Sequence, residues 1–305
     1  MPATDAFRAR LQAALDAFAP GSVLGESVPM GGGVSATTTA FEAVFPDGAC
    51  RRFIARQPGP WARDVADGVR REYETLCRVS RSGLPVPAPH YLEPDGEDNF
   101  YVLDYIDGEP NLAPKNWEPY VREFAENLAL IHRVDVAAAG LQGVRRLKNP
   151  WTPRRETSDA RMREEEIRAL LESIGPQQGP NPEVLRHGDY WPGNLLWRNE
   201  KIVAIIDWEN ACLGEPLADL AIARLDIAWV AGVAVVEQLT SCYLQANPIE
   251  ASLLPYYDLV ACLRPCGEFE TWAPAYTALG RPDITAETIV ATQNEFADRA
   301  LSQAR

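Results

Sequence analysis

The stretch R-H-G-D-Y-W-P-G-N-L-L-W-R-N-E-K-I-V-A-I-I-D-W, from Arg186 to Trp208, sets three polar side chains, Asp189, Asn194 and Asp207, among residues patterned as two short buried strands and a turn. Asn194 to Trp197 and Lys201 to Ile206 are apolar runs flanking Arg198-Asn199-Glu200, so they read as antiparallel strands that return Asp207 towards Asn194. His187-x-Asp189, four residues and then Asn194 is the H-x-D-x-x-x-x-N spacing of a kinase catalytic loop. Moving a γ-phosphoryl group to an alcohol requires a positioned hydroxyl and a triphosphate neutralised by Mg²⁺. A carboxylate can take the hydroxyl proton, while a carboxamide and a second carboxylate hold the hard cation through oxygen. Gly188 and Gly193 permit tight backbone near a ligand, and Pro192 stiffens it. Taken singly, Asp189 and Asn194 are turn formers and Asp207 a strand-end cap. Their combination, with Asp207 the first polar residue after Ile205-Ile206, points to phosphoryl transfer.

His187-Gly188-Asp189-Tyr190-Trp191-Pro192-Gly193-Asn194, then Ile206-Asp207-Trp208, then Gly214-Glu215-Pro216-Leu217-Ala218-Asp219-Leu220-Ala221 resemble the signature of the aminoglycoside phosphotransferase family, small-molecule kinases with a protein-kinase-like fold. The resemblance implies Asp189 as catalytic base, Asn194 and Asp207 as Mg²⁺ ligands, and His187 and Asp219 as residues steadying the catalytic loop. It implies a bilobal α+β fold, with a small antiparallel-sheet N-lobe over residues 1–108 that binds nucleotide. A larger, mainly helical C-lobe over 109–305 then carries catalysis and the substrate, with the site between the lobes.

The chain's 305 residues suffice for two such lobes. Forty-three acidic against 29 basic residues give a net charge of −14, which disfavours nucleic acid and anionic membranes as partners and would suit a cationic substrate, with ordinary solubility as an equally good explanation. No stretch reads as a membrane span or a signal peptide, so a cytoplasmic protein is expected. Six cysteines show no C-x-x-C and read as reduced, and three histidines are too few for a histidine metal site.

Along the chain, Thr4 to Phe18 reads as a capped amphipathic helix. Strand patterns at 22–29, 36–45 and 49–56 enclose Met30-Gly31-Gly32-Gly33-Val34-Ser35, where Gly32, Gly33 and Ser35 could cover ATP phosphates, although a plain turn also fits. Arg56 stands where the resemblance expects a phosphate-binding Lys, and the first Lys in the chain is Lys115, so an Arg must fill that role. Glu72, on a helix over 63–80, is its candidate partner. Leu84 to Pro89 is a proline-rich connector, and the strand over 99–106 ends where the resemblance places adenine contacts through the backbone of Asp104, Tyr105 and Ile106. Helices are expected over 117–134, 158–174, 217–230, 233–245, 249–266 and 286–302. Trp229, Arg264, Glu268, Glu270 and Trp272 are candidates for the acceptor pocket, with ordinary packing or surface roles as the alternative.

The sequence therefore points to an ATP- and Mg²⁺-dependent phosphotransferase acting on a hydroxyl of a small molecule, such as an aminoglycoside, a macrolide or another metabolite. The alternative is a non-catalytic nucleotide-binding or regulatory module. A protein kinase is disfavoured, because no Ala-Pro-Glu segment follows Asp207 and little room remains for an activation loop.

Overall fold

A computed structural model of the protein describes residues 4–30, 36–58, 68–93, 99–147, 151–177 and 179–304. It divides into two compact units, one of residues 1–107 with 204–209, the other of 108–203 with 210–305.

The first unit is built on a five-stranded antiparallel sheet of order β1-β2-β3-β5-β4, formed by β1 (Val23–Met30), β2 (Ala36–Val44), β3 (Cys50–Pro58), β4 (Pro89–Leu92) and β5 (Tyr101–Asp104). Helix α1 (Asp5–Phe18) starts where Thr4 accepts a hydrogen bond from the Phe7 amide. It buries Leu11, Ala14 and Leu15 against Phe41, Phe53, Ala55, Phe100 and Val102 of the sheet side. The β2–β3 turn follows its sequence: Asp47 Oδ1 accepts from the Ala49 amide and Gly48 takes φ +84°. Helix α2 (Gly68–Val79) buries Glu72, Leu76 and Val79. The proline-rich connector runs on into β4, which Pro89 can open because β4 is an edge strand.

The second unit holds α3 (Trp117–His132), α4 (Glu164–Ile174), the short strands β6 (Val184–Arg186), β7 (Leu195–Arg198), β8 (Lys201–Ile205) and β9 (Cys212–Gly214), and α5 (Pro216–Ala231), α6 (Val236–Ala246), α7 (Leu254–Cys262), α8 (Phe269–Ala278) and α9 (Ala286–Gln303). Strand β8 runs from this unit into the first. Strands β7 and β8 form the expected hairpin, its turn made by Asn199 and Glu200 at φ +51° and +63°. Helix α5 is buried from Pro216 to Val230, as befits a helix apolar on every side. Its Arg224 is neutralised by Asp258 through bonds of 3.0 and 2.9 Å.

Several elements differ from expectation. The helix expected over 249–266 spans Leu254–Cys262, and a separate α8 begins at Phe269, because Pro265 lacks an amide hydrogen and Gly267 takes φ +69°. The helix expected over 158–174 breaks at Arg163, which is left-handed at φ +55° between a short turn and α4. Strand β9, three residues paired antiparallel to β6, is too short to leave a periodic signal. Among the described residues no helix is long and apolar enough to cross a membrane.

Candidate active site

The loop between β6 and β7 is organised by one carboxylate. Asp219, fully buried in the first turn of α5, accepts from the His187 amide at 2.7 Å, the Gly188 amide at 3.1 Å and Arg186 Nε at 3.0 Å. His132 Nε2 lies 3.5 Å from it, and His132 Nδ1 is 2.6 Å from the Tyr243 hydroxyl, so this histidine is a packed one. Burial alone would raise the Asp219 carboxyl, but Arg186 and then His132 hold it well below the usual carboxylate range.

Gly188 sits at φ +82°, and a Cβ there would stand 2.3 Å from the Asn210 carbonyl oxygen. Replacing it with alanine is expected to cost about 2 kcal/mol or more, through a left-handed alanine and a backbone clash, and the denaturant midpoint should fall accordingly. A Cβ at Gly193 would stand 2.2 Å from the Trp191 indole, which packs edge-on against Tyr276 with ring centroids 5.7 Å apart. The Tyr190 hydroxyl donates to the Phe124 carbonyl at 2.9 Å.

This loop presents Asp189 and Asn194 together. Asn194 Nδ2 donates to the Asp189 carbonyl at 2.9 Å and to Asp189 Oδ2 at 3.1 Å. The other carboxylate oxygen, Oδ1, accepts from Arg264 Nη2 at 2.5 Å, and Arg264 Nη1 is 3.7 Å from Asp226 Oδ2. Burial pushes the Asp226 carboxyl up to about 8; Arg264 opposes that rise and the Asp189 charge adds to it.

In the first unit, Arg56 on β3 lies opposite Thr38 of β2 and Tyr101 of β5. Its Nη2 is 2.7 Å from Asp207 Oδ1 and 3.4 Å from Glu209 Oε2, and its Nε is 3.7 Å from Glu72 Oε1. The expected Arg56–Glu72 pair is thus present, but the shortest contact of the guanidinium is with Asp207. Burial pushes the Glu72 carboxyl up to about 7 against the pull of Arg56, with Asp207 adding to the rise. Asp207 itself takes φ +66°, a left-handed backbone that aspartate tolerates better than most residues.

The remaining candidates fall in several places. Gly32, Gly33 and Ser35 lie outside the described residues. The amides of Asp104 and Tyr105 donate to the Ala88 and Arg52 carbonyls at 2.9 and 3.3 Å, and the Asp104 carboxylate pairs with His90 Nε2 at 2.6 Å. Ile106 follows directly. Glu268, half-buried, and Glu270, exposed, pair with Arg155 and Arg161 at 2.6 and 2.7 Å. Trp272 meets Trp229 edge-on, with ring centroids 6.2 Å apart. Of the acceptor-pocket candidates, Arg264 is the one that the structure brings to Asp189.

Sequence reasoning missed Glu209, Asp226 and Tyr276. Glu209 had a signal, an acid two residues past Asp207, and so did Asp226, seven residues past Asp219 and on the same face of α5. Among the described residues no three His, Cys, Asp or Glu side chains converge as a metal cage. A magnesium ion does not need one, since it keeps several waters and is bound through one or two carboxylates together with phosphates. The Asn194 amide nitrogen is engaged with Asp189, so the atom its carboxamide has left for a cation is oxygen.

Residues 28–248 match the family model described as the phosphotransferase enzyme family. The chain belongs to this family. Its structure resembles the macrolide 2'-phosphotransferase of Brachybacterium faecium, at 21% identity over 96% of this chain and 97% of that one, with a TM-score of 0.57. It also resembles a thermostable mutant of the aminoglycoside phosphotransferase APH(4)-Ia, solved with AMP-PNP and hygromycin B, at 18% identity over 92% and 98% of the two chains, with a TM-score of 0.59. These likenesses establish the α+β protein-kinase-like fold. By sequence, the chain is 29% identical over 194 residues to acyl-CoA dehydrogenase family member 10 of Mus musculus, covering 56% of this chain and 18% of that protein. It therefore spans less than a third of the curated relatives that it matches.

Proposed function

We propose that this phosphotransferase moves the γ-phosphoryl group of ATP to a hydroxyl group of a small molecule, with Asp189 as base. The observation that carries the reading is the Asp189–Asn194 pair, two oxygen-bearing side chains held at 3.1 Å on a loop braced by a fully buried carboxylate. In the step, the acceptor oxygen bonds to the γ-phosphorus as the bond to the β,γ-bridging oxygen breaks. The hydroxyl proton passes to a carboxylate oxygen of Asp189, and ADP leaves.

Mg²⁺, when bound with the nucleotide through Asn194 and Asp207, would neutralise phosphate charge. Arg56 would meet the phosphates with Glu72 beside it, as a planar donor fork in place of the usual ammonium. Gly32, Gly33 and Ser35 would cover the phosphates. Because the Asp104 and Tyr105 amides are already engaged, the adenine edge would be read through their carbonyls and the Ile106 amide. In this reading, residues 1–108 bind the nucleotide and 109–305 the acceptor. The nucleotide complexes of solved family members support ATP as donor.

The test is ADP release from Mg-ATP across hydroxylated compounds: aminoglycosides, macrolides, choline, homoserine, fructosamines and hydroxy acids. Acceptor-dependent release that stops on chelation is expected. Absence of both acceptor stimulation and ATP binding would sink the reading, in favour of a module without this activity.

A further inference from the structure

We propose that Arg264 selects an acceptor that carries an anionic group, a carboxylate or a phosphate, beside the hydroxyl to be phosphorylated. The inference rests on the reading of Asp189 as base and names the substrate class for it.

Arg264 leaves the end of α7 and places its guanidinium against the working carboxylate, 2.5 Å from Asp189 Oδ1. Both Asp189 oxygens are thereby engaged, Oδ1 by Arg264 and Oδ2 by Asn194. The pair is open to a ligand: Asp189 keeps 27% of its side-chain surface and Arg264 25%, whereas Asp226 and Tyr276 are buried beside them. For an acceptor hydroxyl to reach Asp189 Oδ1 the guanidinium must leave that oxygen, and it then needs another anion. Asp226 is a weak substitute, because it stands at 3.7 Å and its burial favours the uncharged acid. An arginine fork that loses its carboxylate partner in a half-buried site calls for another anion of the same planar or tetrahedral geometry. An acceptor with a carboxylate or phosphate supplies it, and by engaging Arg264 also releases Asp189 Oδ1 for the hydroxyl. A polycationic acceptor would instead bring its ammonium groups up to a guanidinium. The net charge of −14 acts at long range and favours cations, so the local and global fields oppose each other, and at contact distance the local one governs.

The test uses the intact protein and Mg-ATP with matched acceptors that share one hydroxyl: a hydroxy carboxylate, its primary amide, the corresponding amine and a hydroxyalkyl phosphate. The acid or the phosphate is expected to exceed the amide in kcat/KM by about 30-fold or more, mainly through KM, and whichever of the two does so identifies the anion. In Arg264→Gln the ratio should fall towards one, and Arg264→Lys should keep part of it. Equal use of amide, amine and acid by the intact protein overturns the inference. So does an Arg264→Gln variant that slows every acceptor by one common factor, which is how a residue that only holds Asp189 in place behaves. Turnover of neutral or cationic members without the acids overturns the anion reading alone and leaves phosphotransfer standing. If no member of any charge supports ADP formation the anion inference is overturned, and if Mg-ATP also fails to bind the phosphotransfer reading falls with it. If Arg264→Gln fails to fold, the intact protein's ratios and the Arg264→Lys variant decide.

Discussion

Asp189→Asn is expected to lower the rate of phosphotransfer by roughly 10²- to 10⁴-fold, the contribution of a positioned general base, while leaving nucleotide affinity nearly unchanged. The substitution is isosteric. The asparagine oxygen can still accept from Arg264 and the backbone of the loop is untouched, so what is lost is the second acceptor, which now serves Asn194, and the lone pair that takes up the hydroxyl proton. Initial rates of ADP formation at saturating acceptor, set beside a nucleotide titration, separate the two effects. A variant that keeps more than about a tenth of the rate would remove Asp189 from the role of base, because the lower bound for such a group is about 100-fold.

Asp219→Asn is expected to cost about 3–5 kcal/mol of stability, the usual result of removing one partner from a buried charge pair. Arg186 would be left buried without its counter-charge, and a carboxamide has one acceptor oxygen where two now serve the amides of His187 and Gly188 and the guanidinium. The native carboxyl is held below its unfolded value, so its stabilisation is fully present above about pH 4 and is lost as pH falls through the range beneath. The gap between the intact protein and the variant, measured by urea unfolding, should accordingly be flat from pH 5 to 7 and narrow in acid. A gap that stays constant into acid would mean that the Asp219 charge contributes nothing. Because Asp219 holds the loop that carries Asp189, phosphotransfer should fall in the variant even where it remains folded.

The family and the frame of the fold are legible in the sequence alone. Asp189, Asn194 and Asp207 are legible because their spacing is local: one turn and one hairpin relate them, and turn residues and alternating apolar residues record both. Helix α1, with its Thr4 cap, and the β2–β3 turn at Asp47-Gly48 are legible for the same reason, since each rests on hydrogen bonds spanning two or three residues. Glu72 could be proposed for Arg56 because the family resemblance expects a glutamate on the helix after that strand, although Asp207 proved to be the nearer carboxylate. Only the tertiary structure decided what surrounds these groups. Arg264 reaches Asp189 across 75 residues, His132 reaches Asp219 across 87, and Arg56 reaches Asp207 across 151. No periodicity encodes such pairings. They arise because burying a charge is costly unless an opposite charge meets it, and which charges meet depends on how the helices and strands pack.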